Sequence, residues 1–174
     1  MAVLRRFLLF VDGSVNPRSK IGFGCYLLLP DKLLRPLTPA EIKVKLKVKR
    51  FDATSSSRLE IETVIWALKE TENIVGKENE LVIYTDSQNL IGLSNRRERL
   101  EKENFRSRSK KNEVKNADLY RQFYRLMDHL NIKVAKVKGH SKLGDKNEVD
   151  KVFLQVDRSA RKALRKEIDS RQSD

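Results

Sequence analysis

Two stretches of the chain deliver an acid directly after a run of strand-forming apolar residues. In "FLLFVDGS" Asp12 follows Phe7 to Val11, and in "LVIYTDSQ" Asp86 follows Leu81 to Thr85. If the two strands lie parallel and adjacent, their C-terminal ends coincide and so do the carboxylates. Such a pair repels and raises its own pKa values unless a cation joins it. A third acid comes from the helical stretch "SSSRLEIETVIWALKE". There Glu60 shares a stripe with Ser57, Val64 and Ala67, which are small or apolar. Glu62 instead lies four residues from Arg58, the spacing of an exposed ion pair. Glu60 is therefore the candidate. A fourth acid belongs to the last helical segment, where Asp150 and Asp157 lie seven apart on nearly one face. Spacing does not choose between them. Each aspartate alone fits a turn or a helix cap, but the set, without a Cys or His cluster, offers hard oxygen ligands suited to Mg²⁺. Two such ions roughly 4 Å apart activate a water and stabilise the leaving oxygen of a phosphodiester. His140 closes "KVKGH" ahead of a loop with Gly144 and several lysines, where an imidazole can shuttle a proton.

The elements that must position these groups follow from patterning. The 174 residues suit one domain, expected over 1–169 with a frayed tail at 170–174. Residues 3–11 and 21–29 read as strands, with a turn at "DGSVNP" and a proline-rich loop at 30–40. In "EIKVKLKVK" Ile42, Val44, Leu46 and Val48 alternate with four lysines, which predicts a half-buried antiparallel strand. A helix from about Ser57, a strand over 80–86, helical stretches after Ser87 and over 117–130, a strand from Ile132 and a final helix complete the order. Val149, Val152, Phe153, Val156, Ala160, Ala163 and Leu164 form the apolar stripe of that last helix. Mixed order of this kind suits one α/β sheet with an antiparallel meander and helical crossovers.

Composition narrows the partners. Lys and Arg total 37 against 24 acids, a formal charge of +13 that favours a polyanion. No apolar run is long enough for a membrane helix. The N-terminal run is too short for a signal peptide and ends in Asp12, so a cytoplasmic protein is expected. The one cysteine, Cys25, excludes an internal disulfide and reads as a small core residue. Nothing demands a dimer, and a monomer is expected.

Taken in order, "FVDGS", "SSRLEIETVIWAL", "IYTDSQNL", "VKNADLY", "VKGH" and "VDRSARKAL" resemble the type 1 ribonucleases H, over residues 7 to 164. The resemblance implies a ribonuclease H-like fold, a five-stranded mixed sheet in order 3-2-1-4-5 with flanking helices. It implies cleavage of the RNA strand of RNA/DNA hybrids by two Mg²⁺ or Mn²⁺ ions, leaving 5′-phosphate and 3′-hydroxyl ends. By matching motif, the metal ligands are Asp12, Glu60, Asp86 and Asp157, and His140 takes the loop-histidine role. Asp157 has an alanine three residues on, at Ala160, as the family pattern has. Asp150 is followed by Phe153 but sits at the more usual distance from "KGH", and stays as the alternative. The family's basic protrusion corresponds to Gly92–Lys115. It lacks a tryptophan here, so binding through Arg96, Arg97, Arg106, Arg108, Lys110 and Lys111 is expected. Asn16, Ser57 and Gln88 fall where the family approaches the minor groove and the RNA 2′-hydroxyls. Ser56 and Ser57 stand where asparagines are common. Junction nucleases, transposase-like cores and a non-catalytic hybrid-binding protein are the competing readings.

Overall fold

A central strand, β1 (Arg6–Asn16), organises the molecule. The computed structural model describes residues 4–109, 111–137 and 147–172. β1 pairs antiparallel with β2 (Ile21–Pro30) from Phe7 to Asn16, and β2 pairs antiparallel with β3 (Lys47–Phe51). On its other side β1 runs parallel to β4 (Glu80–Thr85), which runs parallel to β5 (Asn131–Lys136). The sheet order is β3-β2-β1-β4-β5, as the resemblance implied. Among the described residues five α-helices flank it: α1 (Pro39–Lys45), α2 (Ser56–Val75), α3 (Gln88–Lys102), α4 (Ala117–His129) and α5 (Glu148–Gln172).

Alternation along β1 sends its side chains to two cores. Phe7, Leu9 and Val11 meet α2, α3 and α4, together with Ile61, Leu68 and Phe123. Leu8 and Phe10 meet α5 through Val152, Val156 and Ala160. Leu8, Leu9 and Phe10 are 1% exposed or less. At about 1.5–3 kcal/mol per buried side chain, these three contribute on the order of 5 kcal/mol, enough to carry a costly group at the strand's far end.

Three expectations need correction. β1 does not stop before Asp12. It continues to Asn16, and the turn lies at 17–20, where the Lys20 amide donates to the Asn16 carbonyl. The period-two stretch is also not one strand, because residues 39–45 are helix. Thr38 and Glu41 form a reciprocal capping box and Pro39 sits in the first turn, so a helix starts there. Ile42 and Leu46, four apart, then turn to the α5-side core, and Val44 is 87% exposed. Only Lys47–Phe51 joins the sheet, and Val48 is 45% exposed on that edge strand. Third, the stretch after Gly92 does not simply project. α3 runs to Lys102, burying Leu93 and Leu100, and Phe105 packs against Tyr124.

Candidate active site

Parallel pairing of β1 with β4 brings Phe10 beside Tyr84, so Asp12 and Asp86, each two residues further, leave the paired region together. Asp12 lies within β1, opposite Cys25 of β2, on the face that carries Leu8 and Phe10. α5 packs on that face and brings Asp157 into hydrogen-bond contact with the Asp12 carboxyl. Burial pushes the Asp12 carboxyl up to about 8, and the charges of Asp86 and Asp157 add to it; a hydrogen bond from the Gly13 amide opposes them. Cys25 shares this burial. Its thiol rises to about 12, through desolvation and then the Asp12 charge, so it stays protonated and unreactive.

Glu60 reaches the same end of the sheet from α2. Ser55 caps that helix by accepting from the Arg58 amide, and no acid sits in its first turn. The helix approaches β1 and β2 over glycines. A Cβ on Gly13 would lie 2.9 Å from Leu59 Cδ2, and one on Gly24 would collide with the Thr63 hydroxyl. This close seating puts Glu60, next to the fully buried Leu59, beside Asp86. The Ser87 hydroxyl donates to Glu60 Oε2 at 2.6 Å. Burial raises the Glu60 carboxyl, the Ser87 hydrogen bond opposes that, and Asp86 adds to the rise. Glu62 accepts instead from Arg58 Nε at 3.0 Å and from the Thr54 hydroxyl at 2.7 Å, the ion-pair role its spacing predicted.

Asp157 and Asp150 are set apart by the helix. Asp157 is next to Asp12 and accepts from Arg161 Nε at 2.7 Å. Asp150 lies two turns earlier, about 10 Å along the axis, buried in the first turn of α5. Its amide donates to Asn147 Oδ1, and it is not among the charges acting on Asp12.

Asp12, Asp86, Asp157 and Glu60 are thus linked in a chain of neighbours. Among the described residues no three such side chains gather tightly enough to hold one ion ready-made. The donor set nevertheless suits hard dications. All four groups are carboxylates; Asp12 and Glu60 are pushed toward protonation by burial and then by the charge of Asp86, with Asp157 adding to Asp12; and ions of the Mg²⁺ type keep waters and take few protein ligands each. Bound dications would remove the repulsion that now raises Asp12 and Glu60.

The residues expected to touch a nucleic acid divide differently. Gln88 is exposed at the start of α3, two residues from Asp86, and Ser57 is half-buried in the first turn of α2. Asn16 uses its side-chain oxygen on the amides of Arg18 and Ser19. Arg96 is turned inward, onto Asn89 Oδ1 at 2.6 Å and the Asn89 and Gly92 carbonyls, over the Tyr120 ring. Arg97 forks onto Asp128 at 2.7 and 2.9 Å, pairs with Glu101 and stacks on Tyr124. Arg108 pairs with Glu103. Arg106 and Lys111 are exposed, in a turn closed by a backbone bridge between Arg106 and Glu113. His140 and Lys110 lie outside the described residues. Two contacts were missed. Arg161 was signalled by its i,i+4 spacing from Asp157, whereas nothing in the sequence marked Ser87 as the partner of Glu60.

A sequence model of the RNase H family matches residues 5–165, from β1 into α5. A ribonuclease H from Caldicellulosiruptor saccharolyticus is 26% identical over 140 residues, which cover 79% of this chain and 86% of that protein. With that match spanning all five strands in the order β3-β2-β1-β4-β5, the chain belongs to the RNase H family.

Proposed function

We propose that this protein is an endoribonuclease that hydrolyses the RNA strand of RNA/DNA hybrids and leaves 5′-phosphate and 3′-hydroxyl ends. It would act as a cytoplasmic monomer, with Asp12, Glu60, Asp86 and Asp157 holding two divalent ions, Mg²⁺ or Mn²⁺. One observation carries the reading: the Asp12 carboxyl is buried against the charges of Asp86 and Asp157. That arrangement costs the free protein stability and suits a site that receives cations. When bound, such ions supply the Lewis acidity that activates the attacking water and supports the departing 3′-oxygen.

The chain's own residues have separate tasks. The Gly13 amide holds Asp12, Ser87 holds Glu60 and Arg161 holds Asp157, so three of the four acids are oriented before any ligand arrives. Asp12 would have to give up its proton to serve as a ligand, so ion binding would strengthen as pH rises. His140 would carry a proton to the leaving oxygen. Gln88 and Ser57 would read 2′-hydroxyls, and the surplus of basic residues draws the polyanion in.

The test is cleavage of an end-labelled RNA/DNA hybrid in Mg²⁺ or Mn²⁺, beside single-stranded RNA, duplex DNA and an Asp86→Asn control. Cutting confined to the RNA of the hybrid and lost in the control is expected. Tight binding without cutting would make the chain a hybrid-binding module, and preferential cutting of duplex or junction DNA would refute the substrate.

A further inference from the structure

A groove of about 440 Å³ runs along the exposed side of α5, beside the candidate carboxylates. Leu154 and Leu164 line it, and Asp157 and Ser14, two residues beyond Asp12, tie it to the site. Its charge comes from Arg158, Arg161 and Arg165, whose spacings of three and four put all three on one helix face. We infer that these three arginines form a phosphate-binding groove that holds the backbone of a nucleic-acid strand next to the carboxylates. The inference rests on the nuclease reading above and names residues to which that reading gives no part in holding the substrate.

Guanidinium groups suit the task because their planar fork matches phosphate oxygens in pairs. Arg161 already spends Nε on Asp157 while its side chain stays 61% exposed, and it also lines the groove, which leaves its other nitrogens for a ligand. Arg158 and Arg165 are exposed, and among the described residues neither takes part in an ion pair. From Arg158 to Arg165 the helix advances about 10 Å, the axial reach of roughly three nucleotides of one strand. A phosphate at the carboxylates would therefore have neighbours within reach of the groove. In this arrangement Arg161 joins the two sites, since one guanidinium would touch both the fourth acid and the strand.

The bland alternative is a solvated basic helix face that adds only to net charge, and salt dependence separates the two. The comparison uses the Asp86→Asn protein as parent, with a fluorescent RNA/DNA hybrid in chelator, titrated by anisotropy at several salt concentrations. Arg158→Gln with Arg165→Gln removes two groove charges and leaves Arg161, which contacts the site, in place. Lys32→Gln with Lys77→Gln removes the same charge at the opposite end of the sheet, where both lysines are exposed. Thermal melts check that all variants fold.

The groove pair should lower the slope of log K against log salt by about two and weaken binding roughly tenfold near 0.1 M salt; the control pair should change both far less. Equal effects from the two pairs overturn the groove and leave only net charge. A wild type that cuts the hybrid, with an unchanged slope in the groove pair, overturns this inference alone. A parent that fails to bind, together with a wild type that fails to cut, overturns the nuclease reading and the groove with it.

Discussion

Replacing Asp12 with Asn should stabilise the metal-free protein. Unfolded, this carboxyl ionises near 3.8; folded, burial and its acidic neighbours hold it protonated up to about 8. Below 3.8 both states carry the proton and there is no penalty. Between 3.8 and about 8 the unfolded chain has released it and the folded protein has not, so stability falls as pH rises. The loss is about 1.4 kcal/mol per pH unit, on the order of 4 kcal/mol at pH 7, and it levels off above the folded value. Asn has the same shape and no charge. It can still accept from the Gly13 amide, and its amide can donate toward Asp157. It remains a buried polar group, so a gain of about 2–3 kcal/mol at pH 7 is expected, or a rise in Tm of about 5–10 °C. The assay is thermal unfolding of both proteins in EDTA at several pH values from 5 to 8, repeated with Mg²⁺ or Mn²⁺. The gain should grow with pH, and metal should raise the Tm of wild type more than that of the variant. An Asn variant no more stable than wild type at pH 7, or a gain independent of pH, would refute the account of strained carboxylates.

Four further outcomes follow from the geometry. Asp157→Asn should reduce hybrid cleavage at least about a hundredfold, while Asp150→Asn should stay within a few-fold of wild type; the reverse ranking would reassign the fourth acid. Gly24→Ala forces a methyl group against Thr63 and should cost about 1–3 kcal/mol in denaturant unfolding, since α2 must lift from the sheet. The buried Thr63 hydroxyl has no hydrogen-bond partner among the described residues, so Thr63→Val should gain about 1 kcal/mol in the same measurement. Arg97→Ala should lower Tm by several degrees, because it frees Asp128 and Glu101 and uncovers Tyr124. The same change should alter hybrid affinity less than Arg106→Ala does; equal losses of affinity would return Arg97 to the binding surface.

What could be read from the chain depended on how local the cause was. The two apolar strands follow from continuous runs of strand-forming residues and are present in the structure, and the i,i+4 spacing of Arg58 and Glu62 is an ion pair there while Glu60 lies beside Asp86. The helix at Pro39–Lys45 was also locally encoded, in Thr38, Pro39 and Glu41, but the alternation of lysines and apolar residues masked it. Period-two patterning outweighed a capping box that had only two helical turns to support. The inward turn of Arg96 and Arg97 depended on α4, which supplies Tyr120, Tyr124 and Asp128 from a distant part of the chain. Nothing near those arginines distinguished them from solvated ones. The partnership of Ser87 with Glu60 likewise required α2 to settle on Gly13 and Gly24, a packing detail without a sequence signature.

The placement of Asp157 on α5 has a consequence for how the protein comes into being. α5 is the last described element to be synthesised, yet it docks on β1, the first, and on β2. A partly made or partly folded chain can form the hairpin of β1 and β2 and even pair β4, and would still lack one of the four acids. Contacts between the ends of a chain form slowly because the loop must close before they repay its entropy. On the reading proposed above, a chain whose other elements have folded but whose α5 has not docked would not cleave. The return of cleavage during refolding would then serve as a clock for one event, the docking of α5.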